Sequence, residues 1–287
     1  MSLPVSSADD DAEIAGIPSS DPRYSQSLAR GLAILRSFSA KRPVLGIADI
    51  ADELDMTRST THRYVITLVA LGYLEQGASR KYRLGLRVAD LGSSALNSVG
   101  MRAHARTHLQ ELRRRSSCAT SLGVLDGTEV LYIERIRGLP YVQSKFELNV
   151  HPGSRLPAYA TSMGKLLLAN LSEPEQRKLI VKMKLSKRAP NTIVSKKALR
   201  EELERIRAAS FAIEDQELAP ELYAIAAPVR DESGAVLAAV DLVAHSSDIS
   251  LEQLHEVLAP QLLATAERIS ASLNQTPEDD TADAGKR

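Results

Sequence analysis

Residues 46–84 read GIADIADELDMTRSTTHRYVITLVALGYLEQGASRKYRL, and their pattern decides the fold of the N-terminal part. GIADIADEL places Ile47, Ile50, Ala51 and Leu54 on one face of a short helix, with Gly46 as its cap. Asp55-Met56 makes a tight turn. Thr57 then caps a longer helix that runs to about Leu71, with Thr61, Val65, Leu68 and Gly72 inward and Gly72 ending it. Residues 73–75 and 81–84 are strand-like and flank Gln76-Gly77-Ala78-Ser79-Arg80, a hairpin with a small, polar, basic tip. Upstream, Leu28, Leu32, Leu35 and Phe38 recur at three and four positions, the stripe of another helix over residues 25–38 that Pro43 closes. Three helices and a hairpin over residues 23–85 make a winged helix-turn-helix.

On the longest of these helices, a turn of about 100° per residue puts Ser59, His62, Arg63 and Ile66 opposite the inward stripe, with Arg58 and Thr60 beside them. Small hydroxyl residues and long basic ones near a helix N-terminus suit base edges and phosphates. Arg63 has the fork to bond guanine O6 and N7 together. Ser59, Thr60 and the first amides of the helix suit a phosphate. Arg80 and Lys81 at the hairpin tip suit a minor groove or the backbone beside it. The bland alternative is a set of ordinary solvated charges on a bundle that binds protein.

Whole-chain arithmetic bounds the rest. The 287 residues hold 36 Lys+Arg, 36 Asp+Glu and 44% hydrophobic residues, which suits a globular chain of roughly two domains. The zero net charge hides its distribution: residues 1–20 carry −4, residues 21–98 carry +4, residues 99–274 carry +2 and residues 275–287 carry −2. The excess of positive charge per residue is greatest where the winged helix lies. The ends, residues 1–22 and 274–287, are polar and poor in large apolar residues, and disorder is expected there. One cysteine, Cys118, excludes an internal disulfide framework and reads as a small, buried apolar residue. No apolar run approaches the ~20 residues that cross a bilayer, and the acidic start is the reverse of a secretory signal. Cytoplasm is the expected compartment, with no membrane partner.

Residues 86–100 carry helix periodicity in Leu86, Ala89, Leu91 and Leu96 and read as a linker helix. Residues 101–273 read as one α+β domain. A basic helix over 101–115 leads to strands at 120–125 and 130–136 around Asp126-Gly127, a strong turn pair, and to a third strand over 141–148. Three helices follow, opening near Thr161, at the capping box Ser172-Glu173-Pro174-Glu175, and at Ser195. Strands return at 211–214, 224–230 and 236–244, and a last helix starts at Ser250-Leu251-Glu252-Gln253 and continues to Leu273. Strands in two clusters with helices between them predict an antiparallel sheet flanked by helices.

SQSLARGLAILRSF, the segment from IADIADEL to RVADLG, LPAYATSMGKLLLANL and AIAAPVRDESGAVLAAVDLV together resemble the IclR-type bacterial transcriptional regulators. The motifs span nearly everything from Tyr24 to Leu273. The resemblance implies a winged helix-turn-helix, a linker helix and a GAF/profilin-like effector domain, in a homodimer or a dimer of dimers that reads paired half-sites of double-stranded DNA. SLARGLAILRSF and VDLVAHSSDISLEQL look most like the subgroup that controls aromatic-acid (β-ketoadipate pathway) catabolism. The implied function is a ligand-responsive regulator of catabolic genes. A small organic acid in the C-terminal domain would alter operator binding or recruitment of RNA polymerase, and no cofactor is implied.

For the acid itself, Ala160-Thr161-Ser162-Met163-Gly164 offers small residues and hydroxyls at a helix start, where backbone amides attract a carboxylate. By resemblance the effector positions are Thr161, Ser162, Asp215, Leu222, Ala224, Asp241 and Val243. Thr161 and Ser162 also suit plain helix caps, Asp215 a turn cap, and Asp241 a solvent-facing strand position. Several positions depart from the family pattern. Ser210 and Glu221 stand where glycines are frequent, and Asp241 stands where a small residue is common and disfavours a bare anion. Ser162-Met163-Gly164-Lys165 matches the S-x-x-K spacing of serine acyl-enzymes, but its companion motifs are missing and Lys165 reads as solvent-facing or close to ligand. A serine hydrolase and a protein-binding scaffold are therefore the alternatives to a regulator without catalytic or metal-binding residues.

Overall fold

The computed structural model describes residues 21–39, 42–98, 100–138 and 149–274. Nearly all of the two expected tails, and the whole of the expected strand over 141–148, lie outside these residues. The chain divides into two compact units, Met1–Ala95 and Leu96–Arg287.

In the first unit, helix α1 (Gln26–Arg36) is capped by Ser25, whose hydroxyl accepts from the amide of Leu28. Helix α2 (Ile47–Glu53) is closed at its start by Asp49, whose carboxylate accepts the Gly46 amide at 2.8 Å. Helix α3 (Arg58–Ala70) is capped by the Thr57 hydroxyl, and Gly72 leaves it at φ +78°, a left-handed turn that glycine adopts without strain. Strands β1 (Leu74–Gln76) and β2 (Tyr82–Leu84) form the antiparallel wing, with Leu74 opposite Leu84. Tyr82 exchanges backbone bonds of 2.8 and 3.0 Å with Leu45, which ties the wing to the segment before α2. Ile34, Phe38, Leu45, Ile50, Val65, Leu68, Leu74 and Tyr82 make the core.

One expected stripe needs correction. Leu28 and Leu32 stay 64% and 51% exposed, because α1 buries its other end through Ile34 and, past the last turn, Phe38. Helix α4 (Arg87–Ser98) lies in the segment with linker-helix periodicity; Leu91 on it, and Leu86 just before it, are exposed.

The second unit is built on a six-stranded antiparallel sheet. Helix α5 (Met101–Ser116) leads into β3 (Ala119–Asp126) and β4 (Glu129–Ile136), which turn at Asp126 and Gly127, the latter at φ +59°. The short β5 (Arg155–Pro157) follows; three residues ending in proline carry no periodicity, so the sequence reading passed over it. Helices α6 (Ser162–Ala169), α7 (Glu173–Lys182) and α8 (Lys196–Ala209) come next, then β6 (Ala212–Asp215), β7 (Leu222–Arg230) and β8 (Val236–His245). The final stretch opens as α9 (Leu251–Gln253), passes through a π turn at Leu254–Leu258 and ends as α10 (Ala259–Asn274). The strand order is β5-β4-β3-β8-β7-β6, so the two β-clusters join where β3 pairs with β8.

Period-two alternation gives the sheet two covered faces. Leu122, Ile133, Ile225, Val240 and Leu242 pack on α5 and α10. Tyr132, Ala212, Ala226 and Ala239 pack with α6, α7 and α8. Helix α6 lies so close to the backbone at Ala158 that a Cβ on Gly164 would collide with it. Gly164→Ala is therefore expected to cost about 1–3 kcal/mol, seen as a lower thermal midpoint; an unchanged midpoint would contradict this packing. Ser210 (φ +63°) and Glu221 (φ +60°) hold a left-handed backbone that glycine would adopt without strain.

Candidate functional site

Two surfaces carry the sequence-selected residues. On α3, Thr61, Val65 and Leu68 are buried, while Arg58, Ser59, His62, Arg63 and Ile66 are exposed on the other side. The Thr57 hydroxyl gathers the start of this helix: it accepts the Thr60 amide at 3.3 Å, donates to the Thr60 hydroxyl at 2.8 Å and lies 3.2 Å from that of Ser59. The Arg63 guanidinium sits 5.9 Å from the centre of the Tyr64 ring. Arg80 and Lys81 are exposed at the wing tip, where Ser79 and Arg80 both have positive φ. Charge commitment separates these cations from their neighbours. Arg42 is paired with Glu53 and Arg83 with Glu75, whereas Arg58, Arg63, Arg80 and Lys81 form no ion pair among the described residues.

In the second unit, Thr161, Ser162, Leu222, Ala224, Asp241 and Val243 line one cavity on the α6 side of the sheet, together with Tyr132, Arg135, Glu214 and Leu218. It is a narrow cleft, partly open to solvent. Thr161 is the N-cap of α6, its hydroxyl accepting the Gly164 amide at 3.1 Å, and Ser162 is the first helical residue. Cap and cavity wall are thus the same residue, and the positive end of the helix faces the lining.

Strand register supplies the charged part. Arg135 lies opposite Ser121, and Ser121 opposite Asp241, so the three form a row across β4, β3 and β8. The Arg135 guanidinium donates to the Ser121 hydroxyl at 2.8 Å. Asp241 is buried, not solvent-facing: β8 is interior to the sheet and covered on both sides, so alternation leads to no water. Burial raises its carboxyl above the ordinary range, against the pull of Arg135 and of hydrogen bonding to Ser121.

Asp215 is the one selected effector position that does not line the cavity. In β6 it shares its direction with Ile213, which packs on the α10 side, and the buried Glu214 takes the cavity side instead. Alternation from the buried Ala212 was the signal that separates the two acids. Arg135 and Tyr132 were missed because a β-bulge between Leu122 and Gly123 shifts the phase of β4 against β3.

Glu214 bonds the amides of Glu217 and Leu218 through Oε1, at 2.6 and 2.9 Å. Burial pushes its carboxyl up to about 8, against those hydrogen bonds. The folded chain therefore holds a proton there that the unfolded chain releases above about pH 4.5. The contribution of this group to stability falls as pH rises from that value to about 8, then levels.

Lys165 is also corrected. It is 1% exposed, and its ammonium donates to the Ile213 carbonyl at 2.8 Å and to the Glu217 carboxylate, with Glu202 at 3.6 Å. A lysine so committed is not the free base that an S-x-x-K acyl-enzyme requires. Burial raises the Glu217 carboxyl even beside this ammonium. Cys118 is half-buried, donates to the Ser116 carbonyl, and is pushed up by burial to about 11, so it is a thiol and not a thiolate at neutral pH. Among the described residues no cluster of His, Cys, Asp and Glu suits a metal, and no helix is long and apolar enough to cross a membrane.

The family model for the C-terminal domain of IclR bacterial transcriptional regulators matches residues 93–271, and that for the IclR helix-turn-helix domain matches residues 27–78. The chain belongs to the IclR family. The Pca regulon regulatory protein of Pseudomonas putida is 32% identical to it over 86% of this chain and 83% of that one. The p-hydroxybenzoate hydroxylase transcriptional activator of Acinetobacter baylyi is also 32% identical, over 86% and 91%. The crystal structure of an IclR homologue from Microbacterium hydrocarbonoxydans, complexed with 4-hydroxybenzoate, superposes with a TM-score of 0.75 at 28% identity, covering 86% of this chain and 99% of that one. This IclR chain is thus a transcriptional regulator of the winged helix-turn-helix type, not an enzyme, and its relatives include regulators of the aromatic-acid subgroup.

Proposed function

We propose that this IclR regulator controls catabolic genes in response to a small organic acid, of the aromatic class, that enters the cavity at the start of α6. Supporting this are a helix N-terminus and an arginine beside a mostly apolar wall, the composition typical of small-ligand sites. The relatives named for aromatic-acid regulation, and the homologue that holds 4-hydroxybenzoate, favour the same ligand class. In this reading residues 23–85 bind DNA, residues 86–100 link, and residues 101–273 sense. Arg63 reads a base, Arg58, Ser59, Thr60 and His62 support it at base edges and phosphates, and Arg80 and Lys81 hold backbone or minor groove. The protein acts in the cytoplasm as a homodimer or dimer of dimers, and the acid changes its hold on the operator or its recruitment of RNA polymerase.

The observation that carries the proposal is the convergence of Thr161, Ser162, Leu222, Ala224, Asp241 and Val243 on one partly open cavity. A thermal-shift screen of the full chain against small organic acids, aromatic ones included, tests it. A ligand at 100 times its Kd adds about 2.7 kcal/mol of stability, a rise of several degrees. A broad panel that leaves the midpoint unmoved would remove the reading.

A further inference from the structure

Charge in the N-terminal unit is divided between two stretches of chain. Residues 1–20 hold four acids, Asp9, Asp10, Asp11 and Glu13, and no base, a net −4 against the +4 of residues 21–98. All four acids fall within five positions. Four cations, Arg58, Arg63, Arg80 and Lys81, lie on α3 and at the wing tip and form no ion pair among the described residues.

The fold itself does not neutralise this cationic surface. From Thr57 to Lys81 the only acid is Glu75, and Arg83 takes it. Helix α3 opens with Arg58 and has no acid in its first turn, so the positive end of its dipole goes uncompensated. Such a surface attracts concentrated negative charge. When no DNA is bound, covalent attachment keeps the acids of residues 9–13 near it at about millimolar effective concentration.

The chain also enters the unit beside that surface. Asp21 accepts the Arg23 amide at 2.8 Å and its guanidinium at 2.7 and 3.0 Å, so the first cation after the acidic segment is already committed. Ser27 and Arg30, near the start of α1, bond the hydroxyl of Tyr64, the neighbour of Arg63 on α3. Glu13 and Asp9 stand 8 and 12 residues before Asp21, a reach of up to about 29 and 43 Å. A domain of this size is about 30 Å across. There is an apolar match as well: Ile66, one helical turn past Arg63, is 43% exposed, and Ile14 and Ile17 follow the acids.

We propose that residues 9–17 dock on the α3 and wing surface when DNA is absent, pairing their four carboxylates with Arg58, Arg63, Arg80 and Lys81, and that a duplex must displace them. This rests on the DNA reading of those cations and adds a competitor for the same surface. The segment weakens every duplex by the same factor. Weak sites are thereby emptied, while a strong operator stays occupied.

Two measurements on the full chain test this. Neutralising the segment, with Asp9→Asn, Asp10→Asn, Asp11→Asn and Glu13→Gln together, is expected to tighten binding of a selected duplex and of a random one alike. The gain should be about 5- to 30-fold near 50 mM salt. It should shrink to within about twofold near 300 mM, where exposed charges are screened. Zero-length carbodiimide coupling of carboxylates to amines, mapped by mass spectrometry, should join residues 9–13 to Lys81, and excess duplex should suppress that product. This second readout separates docking from simple repulsion between the acids and DNA. An unchanged duplex affinity in the neutralised chain overturns the proposal. So does coupling that spares Lys81, whether absent or confined to exposed lysines of the other unit such as Lys184 and Lys197. Either result leaves the DNA reading standing, because the duplex is still bound. If neither chain binds any duplex, the DNA reading itself fails, and this inference with it.

Discussion

Lys165→Ala is expected to destabilise the protein by about 3–5 kcal/mol, as is usual when one partner of a buried ion pair is removed. Lys165 and Glu217 have side chains only 1% and 8% exposed, so water cannot replace the missing ammonium. The substitution leaves the Glu217 carboxylate with one oxygen already unpaired, and it withdraws a donor from the Ile213 carbonyl of β6. For a unit of this size the loss lowers the thermal midpoint by roughly 6–20 °C. Glu217→Gln in the same background should recover part of it, since the buried charge left behind is then gone. A midpoint within about 2 °C of wild type would contradict the buried pair. The cavity acid Glu214 bonds the Glu217 amide, so ligand affinity is expected to fall alongside stability.

Arg63→Ala carries the largest expected effect on the other unit. If Arg63 bonds guanine with both arms of its fork, its loss weakens operator binding by about 1–3 kcal/mol, roughly 5- to 150-fold, and relaxes the preference at that base. Arg80→Ala should act differently, weakening all sequences alike and lowering the slope of log affinity against log salt by about one. Binding measured on a selected duplex and on one with the guanine replaced, across a salt series, separates the two. Identical behaviour of the variants would refute the division of labour. Both residues are exposed, so neither substitution should move the melting midpoint by more than a degree or two.

The local part of the fold was legible because short-range physics writes it into the chain. Ser25, Thr57, Ser172, Ser195 and Ser250 each open a helix where capping chemistry predicts one, and Asp126-Gly127 turns the β3–β4 hairpin. What escaped depends on contacts distant in sequence. The Leu28 and Leu32 stripe has the correct period but does not enter the core of its unit, since periodicity shows that a face exists and not what covers it. Asp241 was ambiguous for a related reason: in an interior strand packed on both faces, alternation no longer separates core from solvent. Lys165 read as solvent-facing or close to ligand because its partners, Ile213 and Glu217, lie 48 and 52 residues away. Arg135 was hidden by one extra residue in a β-bulge.

The cavity and the recognition helix lie in separate units, so the account stands or falls on their energetic coupling. The direct measurement is the Kd of the full chain for a duplex selected from a random pool, with and without a saturating acid known to raise the melting midpoint. Coupling of about 1–3 kcal/mol changes that Kd by roughly 5- to 150-fold, in either direction, and the duplex must change the affinity for the acid by the same factor. An acid that occupies the cavity yet leaves the Kd for the duplex unchanged would contradict the claim that this chain senses through one unit and reports through the other.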